Sequence, residues 1–324
     1  MANSILSAKV MQNEAAAIAW VESRVWPQGP VCPHCGGVER IGKMGGKATR
    51  IGLWKCYQCR KQFTVKVGTV FEDSHVPMNL WLQAMYLLCS SKKGISSNQL
   101  SRTLGVTLKT AWFMSHRIRE AMRVTGVGPL GGSGEVVEAD ETYIGRLEGV
   151  PKQRHSGAHK NIVLTLVERG GSARSFHIDS TPIADIAPIL KANIAKESGL
   201  MTDEHASYKE VGREFESHDA VSHKSEEYVR YWNEITDKMR PDGKPFVETK
   251  TITTNTVEGY YSIFKRGMKG IYQHCSEKHL HRYLSEFDFR YSNRVRQGVD
   301  DVERTARAVQ GAVGKRLTYR TTRH

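Results

Sequence analysis

Four cysteines restrict this chain more than any other feature. They stand as CPHC at residues 32–35 and CYQC at 56–59, a C-x2-C-x20-C-x2-C pattern. Two such knuckles at this separation present Cys32, Cys35, Cys56 and Cys59 as a tetrahedral thiolate set for Zn²⁺. A redox pair or two disulfides are the rivals, and stable disulfides are rare in a cytosolic chain. The opening MANSILSAKVMQNEAAAIAW has no basic segment ahead of a long apolar stretch, so no secretory signal is read and the expected location is cytoplasmic. Trp54, Phe63, Val65 and Val67 alternate as strand residues do, which makes the segment a zinc ribbon. His34, inside a knuckle, reads as a surface residue, and Cys89 and Cys275 as packing residues. Gly37 to Lys43 imitates the start of a phosphate-binding loop, but Met44 stands where Ser or Thr is required.

Charge divides the 324 residues into three parts. Residues 1–130 hold 17 Lys/Arg against 6 Asp/Glu, residues 131–250 hold 16 against 21, and residues 251–324 hold 14 against 7. Basic ends suit a polyanion such as DNA. The acidic middle would repel one unless cations neutralise it, and divalent metal ions do that. No apolar run approaches the ~20 residues of a membrane span, so no membrane partner is expected.

Downstream of the N-terminal helix and zinc ribbon (residues 1–75), Pro77 opens a near-continuously apolar helix, MNLWLQAMYLLCSS. Gln99, Leu100 and Leu104 then belong to a short helix that Gly105 ends, and Thr107 caps a longer basic helix running to about Met122. Residues 76–124 therefore read as a helix-turn-helix domain, with Lys109, Ser115, His116, Arg117 and Arg119 as its groove and phosphate contacts. An ordinary helical hairpin is the plain alternative. TGVGPLGGSG follows as a glycine-rich linker, residues 125–134.

The middle reads as strand EVVEADETYIG, hairpin strands NIVLTLVERG and ARSFHIDS, helix ADIAPILKANIAK, strand GLMTD, and strand ESHDAVSH. A polar insertion of about thirty residues and the helix TNTVEGYYSIFKRG complete it. This order is that of a mixed α/β, ribonuclease-H-like core over residues 135–297, with a basic tail at 298–324. In such a core Asp140, Asp203 and Glu258 converge. Converging carboxylates repel unless cations lie between them, and oxygen-only ligation selects Mg²⁺ or Mn²⁺. At ~100° per residue, Asn255, Glu258, Ser262 and Lys265 share one helix face, which places Lys265 for a phosphate. Glu138 or Glu141 in place of Asp140, and Glu204 in place of Asp203, remain open.

The blocks CPHC, CYQC, EADETYIG, MTDEHASY and TNTVEGYYSIFKRGMKGIYQHCSEKHLHRYLSEFDFRYSNR resemble those of DDE-type insertion-sequence transposases with an N-terminal zinc ribbon. The resemblance covers about residues 15–295. It implies a ribonuclease-H-like fold, two-metal cleavage and joining of DNA, binding of terminal inverted repeats and target DNA, and action as an oligomer on nucleoid DNA. By position, Asp140 and Asp203 match the aspartates, Glu258 the glutamate, and Lys265 the lysine seven residues on. Some branches carry an asparagine as third member, which makes Asn255 an alternative; their histidine two residues before it is Thr253 here. A DNA-binding regulator without catalysis and a ribonuclease-H-like nuclease are the competing functions.

Overall fold

The computed structural model describes residues 4–152, 157–204, 207–222, 229–239 and 245–318. They form two units: residues 1–124 with 293–324, and residues 125–292.

In the first unit, helices α1 (Lys9–Gln12) and α2 (Glu14–Val25) precede the ribbon strands β1 (Ile41–Lys43), β2 (Trp54–Cys56) and β3 (Gln62–Phe63), paired antiparallel in that order. Trp26 meets Trp54 and Phe63 edge-on, with centroids 6.3 and 5.8 Å away, and roofs the small ribbon core. Helix α3 (Met78–Ser90) buries Met78, Trp81, Leu82, Ala84, Met85, Leu88 and Cys89, which accounts for its almost uninterrupted apolar sequence. Two helices then turn about Gly105: α4 (Ser97–Leu104) and α5 (Leu108–Met122). Ser96 caps α4 through the Gln99 amide at 3.2 Å, and Thr107 caps α5 through that of Thr110 at 3.2 Å. Gly105 sits at φ 67°, a left-handed C-cap that a side chain would strain.

Residues 298–318 belong to this unit, which corrects their reading as a tail. Asp300 caps a further helix, Asp301–Gln310, by accepting from the Glu303 amide at 2.7 Å. This helix packs on α3 and α2 and buries Arg304, Thr305, Ala306, Ala308 and Val309. The Arg304 guanidinium is saturated by the carbonyls of Asn293 (2.6 Å), Cys89 (2.9 Å) and Val299 (3.2 Å) and by Asp301. Beyond it, the Gly314 amide bonds the Gly68 carbonyl at 2.9 Å and Arg316 pairs with Asp73 at 2.7 Å. Basic composition signalled a tail; the amphipathic spacing of buried residues decided otherwise.

The second unit has a five-stranded mixed sheet in the order β6-β5-β4-β7-β8. The strands are β4 (Val136–Ile144), β5 (Asn161–Glu168), β6 (Ala173–Ile178), β7 (Gly199–Asp203) and β8 (Ser217–Val221). The first three pair antiparallel and the last two add parallel to β4. Helices α6 (Ile183–Asn193) and α7 (Ser207–Val211) bury one sheet face around Val137, Ala139, Leu166, Leu190 and Tyr208. Helices α8 (Asn255–Gly267) and α9 (Glu277–Ser292) bury the other around Val163, Val167, Tyr261, Phe264 and Phe287. The expected strand order is thus present, and α10 denotes the helix Asp301–Gln310 described above.

Two features of this unit depart from expectation. Part of the glycine-rich segment is docked: the Leu130 amide bonds Asn193 O at 2.7 Å and its carbonyl accepts from Ala195 at 2.9 Å. Gly131, at φ 80°, passes so close to Ser198 that a Cβ would lie 2.2 Å from its Oγ. The polar insertion contains a hairpin, β9 (Arg230–Met239) with β10 (Pro245–Ile252), tied at its base by Lys250 to Asp219 at 2.8 Å.

Candidate active site and metal centre

The four ribbon thiols meet. Cys32 Sγ lies 3.7 Å from Cys59 Sγ, Cys35 Sγ lies 3.7 Å from Cys56 Sγ, and all four lie within 4.8 Å of one another. A disulfide would hold its sulfurs at ~2.05 Å. A tetrahedron of ~2.3 Å Zn–S bonds has S···S edges of about 3.8 Å, so the donor set fits zinc. The backbone N–H of Cys59 lowers the Cys56 thiol to about 7, against the opposing effect of burial, and so favours the ligating thiolate. The purified protein is expected to carry about one zinc per chain, and Cys56→Ser to lose it in a colorimetric chelator assay. Zinc retained by the variant would refute the four-thiolate site.

In the second unit, acidic residues gather at one sheet edge. Glu138 pairs with Met201 across the parallel β4–β7 ladder, so Asp140 and Asp203 lie two residues further along each strand, level with one another. Tyr261, on α8, donates to the Asp140 carbonyl and to that of Val163 (3.1 Å), docking the helix on β4. That brings Glu258, one turn earlier, towards the two aspartates. Burial, with Glu141, Asp203 and Glu258 adding repulsion, pushes the Asp140 carboxyl up to about 7. Glu258 accepts from Thr254 Oγ1 at 3.0 Å. Among the described residues the four thiols are the one group of three or more metal-ligating side chains, with all donor atoms within 4.8 Å of one another. The oxygen-only donor set of Asp140, Asp203 and Glu258, with its mutual repulsion, suits divalent cations.

Lys265 is half-buried on α8, and burial lowers its amine while Asp140 and Glu258 pull the other way and Lys269 and Lys160 add to the lowering. Asn255 is exposed at the first position of α8, and Glu204 is exposed after β7. Glu141 points to the opposite sheet face, where it accepts from Tyr208, and burial pushes it to about 7.

Glu138 has another task, which sequence reasoning missed. It is fully buried, and its oxygens accept from Thr256 N (2.8 Å), Thr256 Oγ1 (2.8 Å), Val257 N (3.0 Å) and Arg169 Nε (2.7 Å). Arg169 also donates to Thr251 O at 2.7 Å and Thr253 O at 2.8 Å. One carboxylate thus caps α8 from the strand that carries Asp140, leaving no lone pair for a metal. The acidic residue was visible in the sequence; its partner, in the β5–β6 turn, was not.

The groove contacts expected on α5 need correction. Ser115, His116, Arg117 and Arg119 are 0, 1, 4 and 1% exposed and cannot reach DNA. Arg117 binds the carbonyls of Val70 (2.8 Å), Glu72 (2.7 Å) and Leu317 (3.1 Å), and Arg119 donates to Ser115 Oγ at 3.2 Å. Basic residues were taken as surface, whereas carbonyls from loops without secondary structure recruit them inward. Only Lys109 of the five is exposed, beside Thr107, Leu108 and, on α4, Arg102. Arg117→Ala is therefore expected to destabilise the protein by about 2–4 kcal/mol, since buried carbonyls lose a charged donor. Lys109→Ala should leave the melting temperature within about 1 °C, as surface substitutions do. Thermal melts of both variants check this.

Residues 12–62 match the transposase zinc-ribbon domain. The chain belongs to the family of the ISXO2-like transposase domain, which matches residues 130–292, half its length. It is also similar to an uncharacterized protein in the transposable element ISH50 of Halobacterium salinarum, 30% identical over 122 residues. That similarity spans 37% of this chain and 38% of that protein. No helix among the described residues is long and apolar enough to cross a membrane.

Proposed function

We propose that the protein binds the terminal inverted repeats of an insertion sequence and catalyses metal-dependent DNA cleavage and strand transfer. The observation that carries this reading is the meeting of Asp140, Asp203 and Glu258 from β4, its parallel neighbour β7, and α8. The strand order β6-β5-β4-β7-β8, with helices on both faces, supports a ribonuclease-H-like core. The two helices about Gly105 support a helix-turn-helix whose exposed Arg102, Thr107 and Lys109 face DNA.

Mg²⁺ or Mn²⁺ held by Asp140, Asp203 and Glu258 would offset the phosphate charge and lower the proton affinity of the attacking hydroxyl. Lys265 holds a non-bridging phosphate oxygen beside them. In the first step water attacks a phosphodiester at the element end; a P–O bond to water forms and the P–O3′ bond breaks, releasing a 3′-hydroxyl. That hydroxyl then attacks a target phosphodiester, forming a new P–O3′ bond and expelling the target's own 3′ oxygen. No covalent protein intermediate arises. Two ends are processed together, by an oligomer acting on nucleoid DNA in the cytoplasm.

Labelled duplexes bearing the sequences that flank the gene, incubated with the protein, Mg²⁺ and a plasmid, test this. Joined products that disappear with Asp203→Ala are expected. Cutting without joining would replace the reading with a nuclease. Binding that the variant leaves intact, with no product from either protein, would replace it with a regulator.

A further inference from the structure

One row of the sheet is polar across four strands. Asp140 on β4 pairs with Thr165 on β5, Thr165 pairs with Ser175 on β6, and Asp203 on β7 is level with Asp140. Val163, Val167 and Ala173 pack against α8 and α9, so strand alternation turns Thr165 and Ser175 to the same helices. There Ser175 meets Asp288 of α9. Asp288 accepts from Ser175 N at 2.8 Å, from Ser175 Oγ at 2.7 Å and, from α8, Tyr260 Oη at 2.6 Å. Both hydroxyls point their hydrogens at Asp288, which leaves Ser175 Oγ to accept from Thr165 Oγ1 at 3.0 Å. Desolvation pushes the Asp288 carboxyl up to about 6, although these donors and Arg174 all pull it down. Part of the arrangement covers the free edge of β6, where Ser292 Oγ likewise takes the Ala173 amide at 3.0 Å. Edge cover alone needs no tie to α8, and a desolvated carboxylate beside an apolar core is a costly way to fill space.

Helix α8 carries two adjacent tyrosines with different anchors: Tyr261 donates to the Asp140 carbonyl and Tyr260 to Asp288. Consecutive residues lie about 100° apart round a helix, so the two anchors together fix its rotation as well as its height above the sheet. Hydrogen bonds to a carboxylate are short and directional, which apolar contacts are not. Glu258 precedes the pair by two residues and turns with it. Resting on the reading of Asp140, Asp203 and Glu258 as the metal site, we infer that Asp288 is a positioning residue of that site: through Tyr260 it holds α8 at the rotation that keeps Glu258 beside the two aspartates. Ser175 and Thr165 tie the same carboxylate to the sheet row that carries Asp140. Asp288 acts only through these groups and touches no reacting atom.

The test compares two variants of the full-length, zinc-loaded chain. Tyr260→Phe removes the tie to α8 and leaves Asp288 its two bonds to Ser175. Ser292→Ala removes a bond between α9 and the same sheet edge without touching α8. Both should melt slightly below wild type. Only Tyr260→Phe should weaken Mn²⁺ binding in the absence of DNA, by about tenfold in a calorimetric titration, and slow strand joining by a similar factor, as loss of groups that orient metal ligands does. Affinity for DNA in chelator should be unchanged in both. Asp288→Asn should act like Tyr260→Phe, and the double variant should be no worse than the weaker single, because the residues act as one unit. Wild-type Mn²⁺ affinity and joining in Tyr260→Phe, or equal losses in Ser292→Ala, overturns the inference while leaving the transposase reading standing. Mn²⁺ binding that Asp203→Ala leaves intact, with no joined product from the wild-type chain, overturns the metal-site reading and the inference with it.

Discussion

Asp140→Asn is expected to abolish strand joining and yet make the metal-free protein more stable at pH 8. Burial and the repulsion of Glu141, Asp203 and Glu258 hold the Asp140 carboxyl up at about 7, against an ordinary 3.8. The folded state thus binds this proton more tightly than the unfolded chain does. Below about pH 4 both states carry it and the group costs nothing. As the pH rises from about 4 to about 7 the unfolded chain ionises freely while the folded one resists, and stability falls; above that the loss is constant. A shift of this size corresponds to about 4 kcal/mol. Asparagine removes the loss, so thermal melts in chelator should rise at pH 8 and converge with wild type towards pH 4. Added Mg²⁺ reverses the order, because it stabilises only the chain that keeps its ligand. A variant no more stable than wild type in chelator would mean that neither burial nor the neighbouring carboxylates disfavour the Asp140 charge.

The second large effect concerns Arg169, which bonds Glu138 and none of the three candidate metal carboxylates. Its ion pair with the fully buried Glu138 joins β4 to the start of α8, and so sets the distance between Asp140 and Glu258. Arg169→Ala leaves the carboxylate buried without its partner, a loss of about 3–5 kcal/mol. It also frees the carbonyls of Thr251 and Thr253 just ahead of α8. A helix start displaced by ~1 Å costs about a hundredfold in rate. Joining assays well below the lowered Tm should therefore show that loss, together with a higher Mg²⁺ requirement and an unchanged affinity for DNA. Thr256→Val, which removes one bond to Glu138, should fall between the two. Full activity in a destabilised Arg169→Ala would leave the pair a purely structural tie.

Much of the candidate site was legible because its parts follow local rules. The knuckles are contiguous, so spacing alone groups Cys32 with Cys35 and Cys56 with Cys59. Strand alternation put Asp140 among Val136, Val137 and Ala139, and a short apolar run ended at Asp203. Helical period separated Glu258 and Lys265 from the buried Val257, Tyr260, Tyr261 and Phe264. The cap at Thr107 and the glycine at 105 bounded both turn helices. The errors share a cause. Arg117, Arg119 and Arg304 were counted as surface charge, yet each lies buried, and Arg117 and Arg304 bind main-chain carbonyls contributed by segments remote in sequence. Composition reports how many charges a segment has, but not which of them find buried acceptors.

From its sequence alone this chain therefore determined a zinc ribbon, a helix–turn–helix pattern, the strand order of an α/β unit, and three candidate carboxylates. These depend on periods of two and 3.6 residues and on fixed ligand spacings, all readable within a short window. Tertiary structure alone decided that Glu138 caps α8 instead of holding a metal, that residues 301–310 complete the N-terminal unit, and that Ser175, Tyr260 and Asp288 meet. Each of those facts joins residues tens to hundreds of positions apart. Only the folded chain brings such groups within hydrogen-bond or van der Waals reach, where burial changes what a charge or an unpaired amide requires.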